Sequence, residues 1–163
     1  MAEWREVEAA AQDLVSAARE RFDAHRHKVL ATLRRDGSPR ISGVEATFLD
    51  GSLYVGMMPG SAKGADLRRD PRMALHSGSP EPDDDDPSAW PGDAKLEGRA
   101  TEVTDVDERA RFAGAQDGMP PGTFDLFRID VTSLTTVRVG EPADHLLIET
   151  WREGAGVRRV ERR

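Results

Sequence analysis

KVLATLRRDGSPRISGVEATFLDGSLYVG, residues Lys28 to Gly56, is the stretch whose reading decides the fold. Val29 to Leu33 is a short apolar run that stops at the turn cluster Asp36-Gly37-Ser38-Pro39. Arg40 to Leu49 then alternates apolar and polar residues, the period of a half-buried strand. Asp50-Gly51 supplies the two positive-φ positions of a tight hairpin before Ser52-Leu53-Tyr54-Val55-Gly56. Three antiparallel strands in sequence make a meander.

Working outward, residues 4 to 22 place Trp4, Val7, Ala11, Leu14, Val15, Ala18 and Phe22 at helical spacing, which predicts one amphipathic helix before the sheet. Downstream, Ser61 can cap a two-turn helix that ends before Pro71. Arg72 to Ser77 reads as a fourth strand, residues 78–92 as a long Pro/Asp-rich loop, and Ala94 to Val103 as a fifth strand. Thr104 with Asp107 predicts a capped helix to about Gln116, in which Val106, Ala110 and Ala113 share a face. Phe124 to Val131 alternates strictly and continues through Thr135 to Val139. His145 to Trp151 and Val157 to Val160 complete a mainly β chain. This order predicts a closed or nearly closed antiparallel barrel with peripheral helices, divided into a helical segment 1–24 and a barrel domain 25–163.

Composition narrows the function. The 163 residues allow one domain and one site. With 23 Lys plus Arg against 30 Asp plus Glu, the net charge of −7 argues against a nucleic-acid partner. The absence of cysteine rules out disulfides, thiolate metal sites and a Cys nucleophile. The acidic N-terminus lacks a basic leader and no apolar run reaches the roughly 18 residues of a membrane span, so a cytoplasmic protein is expected, with no membrane partner. The histidines show no metal-ligand spacing, and no metal site is expected. The acid run 83–86 is flanked by prolines and lacks the alternating ligands of a calcium loop, which makes it a solvated segment. Trp90, at its end, can either anchor the loop or fold over a ring-shaped ligand.

The chemistry-bearing stretch is Ser61-Ala62-Lys63 at a helix start. Free backbone N–H groups, the positive helix end, a hydroxyl and a full cationic charge together suit a phosphate. Arg40 and Ser42, two apart on one strand face, form a second candidate. Each also has a plain structural reading, as a capped surface helix and as a surface Arg beside a turn.

In order, KVLATL (28–33), DGSPR (36–40), DGSLYV (50–55), SAKGADLRRDPRMAL (61–75), LEGRA (96–100) and FRIDV (127–131) resemble the pyridoxamine 5'-phosphate oxidase-like superfamily. The resemblance implies a split antiparallel β-barrel of the FMN-binding type, a homodimer with cofactor sites built from both chains. On that pattern Arg40, Ile41 and Ser42 line the isoalloxazine or deazaflavin, Met57 and Met58 sit beside the ring, Ser61 and Lys63 hold the phosphate, and His76 with Ser77 present polar groups from the next strand. Trp151 and Arg158 are similar to the C-terminal Trp and Arg of the oxidase. Ala62 stands where that enzyme has an Arg, so its own activity is not expected here. The implied protein is a flavin- or deazaflavin-dependent oxidoreductase, with FMN or coenzyme F-420 moving hydride to or from a small conjugated substrate under a 78–92 lid. The cofactor carries the hydride, and the sequence names no catalytic residue. The alternatives are a non-catalytic flavin or haem store of the same fold, with His76 or His145 as axial ligand, and a cofactor-free barrel acting through protein contacts.

Overall fold

The computed structural model describes residues 1–83, 85–116 and 123–163. The meander forms as the sequence predicts: β1 is His27–Leu33, β2 Pro39–Leu49 and β3 Ser52–Met57, all antiparallel. Asp50 and Gly51 take φ of 50° and 77°, which closes the β2–β3 hairpin in two residues. The helix α3 (Ala62–Arg69) leads to β4 (Arg72–His76), which returns beside β1, and β5 (Asp93–Glu102) follows on its far edge.

Closure depends on the 15-residue strand β6 (Asp125–Val139). Along one edge it pairs with β5; along the other, its first five residues pair with β3 and close a six-stranded barrel in the order β3-β2-β1-β4-β5-β6. Past that point the same edge pairs Ser133 to Val139 with β7 (Leu146–Arg152), and β8 (Gly156–Arg162) extends the sheet as a hairpin. The barrel therefore splits along β6. A register shift opposite Glu97 and Gly98 leaves Thr132 between the paired residues Val131 and Ser133, the added twist a bulge supplies. The backbone of Ala2 fills the gap, exchanging hydrogen bonds of 3.1 and 2.8 Å with Val131.

The expected single N-terminal helix is two: α1 (Trp4–Ala10) and α2 (Gln12–Asp23), broken at Ala11, where φ is −152° and ψ 55°. Alanine is the best helix former, so no local signal marks this break; packing imposes it. The bend lets Trp4 lie 4.5 Å from the Phe48 ring while Phe22 reaches the same ring at 6.0 Å. Both helices share one core with the inward side chains of the barrel, including Leu30, Leu53, Leu75, Leu96, Ile129 and Leu134.

A second correction concerns α4 (Val106–Gly114). Its cap is Asp105, whose carboxylate accepts the Glu108 amide at 2.8 Å, rather than Thr104. Val106 is 77% exposed, and Phe112 with Ala113 face inward. There Phe112 meets Tyr54 and Phe124 at 5.5 and 5.6 Å, forming a second cluster over the outer face of β3 and β6. No described helix is long and apolar enough to cross a membrane.

Candidate functional site

The helix α3 is held from two sides. From below, the buried Asp66 carboxylate accepts hydrogen bonds from Thr32 Oγ1 (3.0 Å), Arg40 Nε (2.6 Å) and Arg69 Nη2 (3.2 Å). Burial pushes the Asp66 carboxyl up, but these three donors outweigh it and hold it below the usual carboxylate range. From the flank, Arg68 pairs with Glu102 (Nε to Oε2, 2.9 Å) and with Asp125 (2.9 Å), and the Gly60 amide donates to Asp125 at 3.2 Å. Ser61 caps the helix through its Oγ, which accepts from Gly64 N at 3.2 Å.

What this scaffold presents is Lys63. Its ammonium has no ion pair or hydrogen bond among the described residues, while the first-turn amides of Ala62 and Lys63 have no intrahelical acceptor. Lys63 lines a cavity of about 470 Å³ between α4 and the outer face of β2 and β3, within the size range of cofactor sites. The wall is apolar, with Val44, Met57, Met58, Phe112 and Phe124, and the far rim carries Arg26, His27 and Glu45. Arg26 Nε donates to Glu45 at 2.9 Å, and His27 Nε2 lies 3.8 Å from the same carboxylate.

The nine residues expected at the site do not form one cluster. Strand alternation puts Arg40 and Ser42 on the barrel's inner side and Ile41, 74% exposed, on its outer side. Arg40 is committed to Asp66 and opens on a separate cavity of about 500 Å³ shared with Arg34, Arg35 and Arg69. Met57 is buried against α3, whereas its neighbour Met58 is 80% exposed. His76 shares the outer face with Ile41, in register with Val29, and its Nδ1 accepts from the Gly78 amide at 3.0 Å. Ser77 is fully buried: its Oγ donates to Gly78 O at 2.6 Å and accepts from Ala94 N at 3.0 Å. The structure thus brings Met57, Met58 and Lys63 to one cavity, while Ser61 caps α3 outside its lining.

Other expected positions are occupied locally. His145 pairs with Asp144 at 2.7 Å and packs on Gly140. Trp151 is a core residue, and Arg158 is exposed on β8. Trp90 Nε1 donates to Pro80 O at 3.0 Å, tying the 78–92 loop to itself; Asp84 in its acid run lies outside the described residues. No group of three His, Asp or Glu side chains gathers in metal-binding geometry among the described residues. Sequence reasoning missed Gly43, His27, Glu45 and Phe112. Strand alternation carries the first three, since the face opposite Arg40 and Ser42 contains Gly43 and Glu45, with His27 across from Glu45 on β1.

The family profile for pyridoxamine 5'-phosphate oxidase matches residues 14–138. No curated protein matches the chain. Among solved structures, PhzG from Burkholderia lata 383, crystallised with tetrahydrophenazine-1-carboxylic acid, superposes with a TM-score of 0.67 at 11% identity, over 96% of this chain and 91% of that one. ChuZ from Campylobacter jejuni gives 0.65 at 14% identity, over 91% and 63% of the two chains. A haem-binding protein from Mycobacterium smegmatis gives 0.55 at 17% identity, over 90% and 87%. At these identities the likeness is one of fold.

Proposed function

The chain belongs to the pyridoxamine 5'-phosphate oxidase family, and from that premise we propose that it is a flavin- or deazaflavin-dependent oxidoreductase acting on a small conjugated substrate. The single observation that carries this reading is Lys63, a cation at a helix start with no ion pair or hydrogen bond among the described residues, opening on an apolar cavity of about 470 Å³. The donor set suits a phosphate: the Lys63 ammonium, the first-turn amides and the Ser61 hydroxyl, which keeps its proton to donate while its oxygen caps the helix. The apolar wall suits the planar ring of the same molecule.

When bound, FMN or coenzyme F-420 supplies the hydride chemistry. The chain's own work is then positioning: Lys63 fixes one end, Met57, Phe112 and Phe124 exclude water, and Ile41 and His76 lie on the adjoining open sheet face, where a second copy of the chain completes the site. The 78–92 loop is the lid in this proposal. Purified protein titrated separately with FMN, the deazaflavin coenzyme and haem tests the reading. Saturable flavin or deazaflavin binding at micromolar concentration or below, weakened about tenfold or more in Lys63→Ala, is expected; failure of both cofactors to bind defeats it.

Haem storage is the second reading. It is favoured by His27 and Met58, two residue types that ligate haem iron, lining the same cavity. A Soret band that disappears in His27→Ala would select it over the first.

A further inference from the structure

β8 is the end strand of the sheet, paired with β7 alone among the described strands. Every residue of it is exposed or half-buried. The β7–β8 hairpin carries Arg152, Arg158, Arg159 and Arg162, none of which has an ion pair or hydrogen bond among the described residues. Charges on an edge strand discourage pairing with another chain, which accounts for arginines on β8. It does not account for Arg152, which lies on β7 with a paired strand on each side, in a chain whose net charge is −7.

Strand alternation sorts these side chains. Register aligns Lys95, Thr135, Thr150 and Arg158 in one row of the outer face, across β5, β6, β7 and β8. Arg152 stands in the next row of that face, diagonal to Arg158 and opposite Gly156, beside which there is open space. Arg159 points to the opposite face. Arg152, Arg158, Thr150 and Val160 line a cavity of about 460 Å³, and no carboxylate borders it among the described residues. The acids in the flanking rows, Asp93 and Glu97, are on β5, three strands from β8. Thr135 is 8% exposed, and its hydroxyl lies 3.0 Å from that of Thr150. Two hydroxyls share one hydrogen bond, so one proton is left to donate. It finds no acceptor among the described residues.

Diagonal neighbours on two strands stand about 7 to 8 Å apart, within reach of long side chains, and like charges so placed repel. Two guanidinium forks at that spacing can close on one group that offers several oxygens. A phosphate monoester carries nearly two negative charges at neutral pH and three acceptor oxygens, so it balances both cations and accepts the free hydroxyl proton. A carboxylate brings one charge and two oxygens. We propose that the outer face of the β7–β8 hairpin is a binding site for a phosphate dianion: Arg152 and Arg158 clamp it, and the Thr135–Thr150 pair donates to it. A cavity of about 460 Å³ has room for more than the phosphate group, with Val160 and Ala155 as its apolar floor. The site is separate from Lys63, whose cavity lies at the other end of the strand order, over β2 and β3.

The test titrates phenyl phosphate, inorganic phosphate and benzoate by isothermal calorimetry at neutral pH and fixed ionic strength. Arg152→Ala, Arg158→Ala and Arg159→Ala are each made in a Lys63→Ala background, which silences the phosphate contact proposed above, and each is checked by thermal unfolding and size-exclusion chromatography. All three arginines are exposed, so an unchanged Tm is expected. The Lys63→Ala protein is expected to bind phenyl phosphate, and Arg152→Ala and Arg158→Ala each to weaken that binding tenfold or more. Arg159→Ala removes the same charge from the opposite face and is expected to change it by less than about twofold. Tighter binding of phenyl phosphate than of inorganic phosphate upholds the site and assigns it to an organic monoester; equal binding upholds it and assigns it to the free ion. Benzoate bound as tightly as phenyl phosphate overturns the proposal. So does an equal loss in Arg159→Ala, which would mean diffuse charge and no built site. Absence of binding in Lys63→Ala overturns it and leaves the Lys63 reading untouched. Absence of binding together with a smaller species in Arg152→Ala or Arg158→Ala also overturns it, by assigning these cations to a contact between copies of the chain.

Discussion

Replacing Asp66 with Asn separates the scaffold under α3 from the chemistry above it. In the native chain one buried carboxylate satisfies Thr32, Arg40 and Arg69 together. Asparagine keeps the shape, loses the charge and turns an amide donor toward groups that are themselves donors. Breaking a buried ion pair from one side costs about 3 to 5 kcal/mol. Arg40 and Arg69 retain 24% and 34% side-chain exposure and regain water when released, which sets the expectation near the lower end, about 3 kcal/mol. For a chain of this size that corresponds to a Tm lower by about 6 to 12 °C, measured by circular dichroism at pH 7. The pH dependence has a fixed sign. Because Asp66 titrates below its unfolded value of about 3.9, the native chain binds fewer protons than the unfolded chain in that window, and its stability falls as pH falls. The Tm gap between wild type and Asp66→Asn is therefore widest at neutral pH and narrows below about pH 4. A gap under about 2 °C at pH 7, or one that stays constant on acidification, refutes the assignment of Asp66 as the tether of α3.

Other substitutions probe independent parts of the account. Trp4→Ala removes a ring that is 1% exposed and packed at a tilt against Phe48, and is expected to cost about 3 to 5 kcal/mol in denaturant unfolding. Trp4→Phe should cost clearly less, because the buried indole Nε1 has no hydrogen-bond partner among the described residues to lose; equal losses would mean that the indole is held by more than packing. Gly92→Ala places a Cβ 2.0 Å from Val137 O at φ +82°, and is expected to destabilise by well over 1 kcal/mol. Gly154→Ala, with a similar φ of +75° and open space around it, is its control and should cost about 1 kcal/mol.

The meander was legible because its information is local: an alternating period, an Asp-Gly turn and a Ser cap at α3 each act within a few residues. The barrel was legible as a class from its strand order and as a split barrel from the family resemblance, yet the point of the split was not, since β6 reads as one long strand and only the Ala2 bridge and the bulge at Thr132 show where its partners change. The break at Ala11 was silent because tertiary packing overrode alanine's propensity. Of the cavity's lining, Lys63 was legible from a helix start next to a strand end, and Met58 from the family resemblance. Arg40 could not be placed, because its partner Asp66 lies 26 residues away on a helix face that sequence spacing does not orient. Gly43 was within reach of strand alternation, whereas Phe112 was not, because the packing of α4 over the outer sheet face joins residues far apart in sequence.

The central claim is that Lys63 holds the phosphate of a ring cofactor, and the measurement that tests it most directly is the ratio of FMN to riboflavin affinity, with the deazaflavin pair in parallel, in wild type and in Lys63→Ala. A single charge-assisted phosphate contact predicts a preference of about tenfold or more for the phosphorylated ligand in wild type, falling toward unity in the variant. An equal ratio in the two proteins would contradict it.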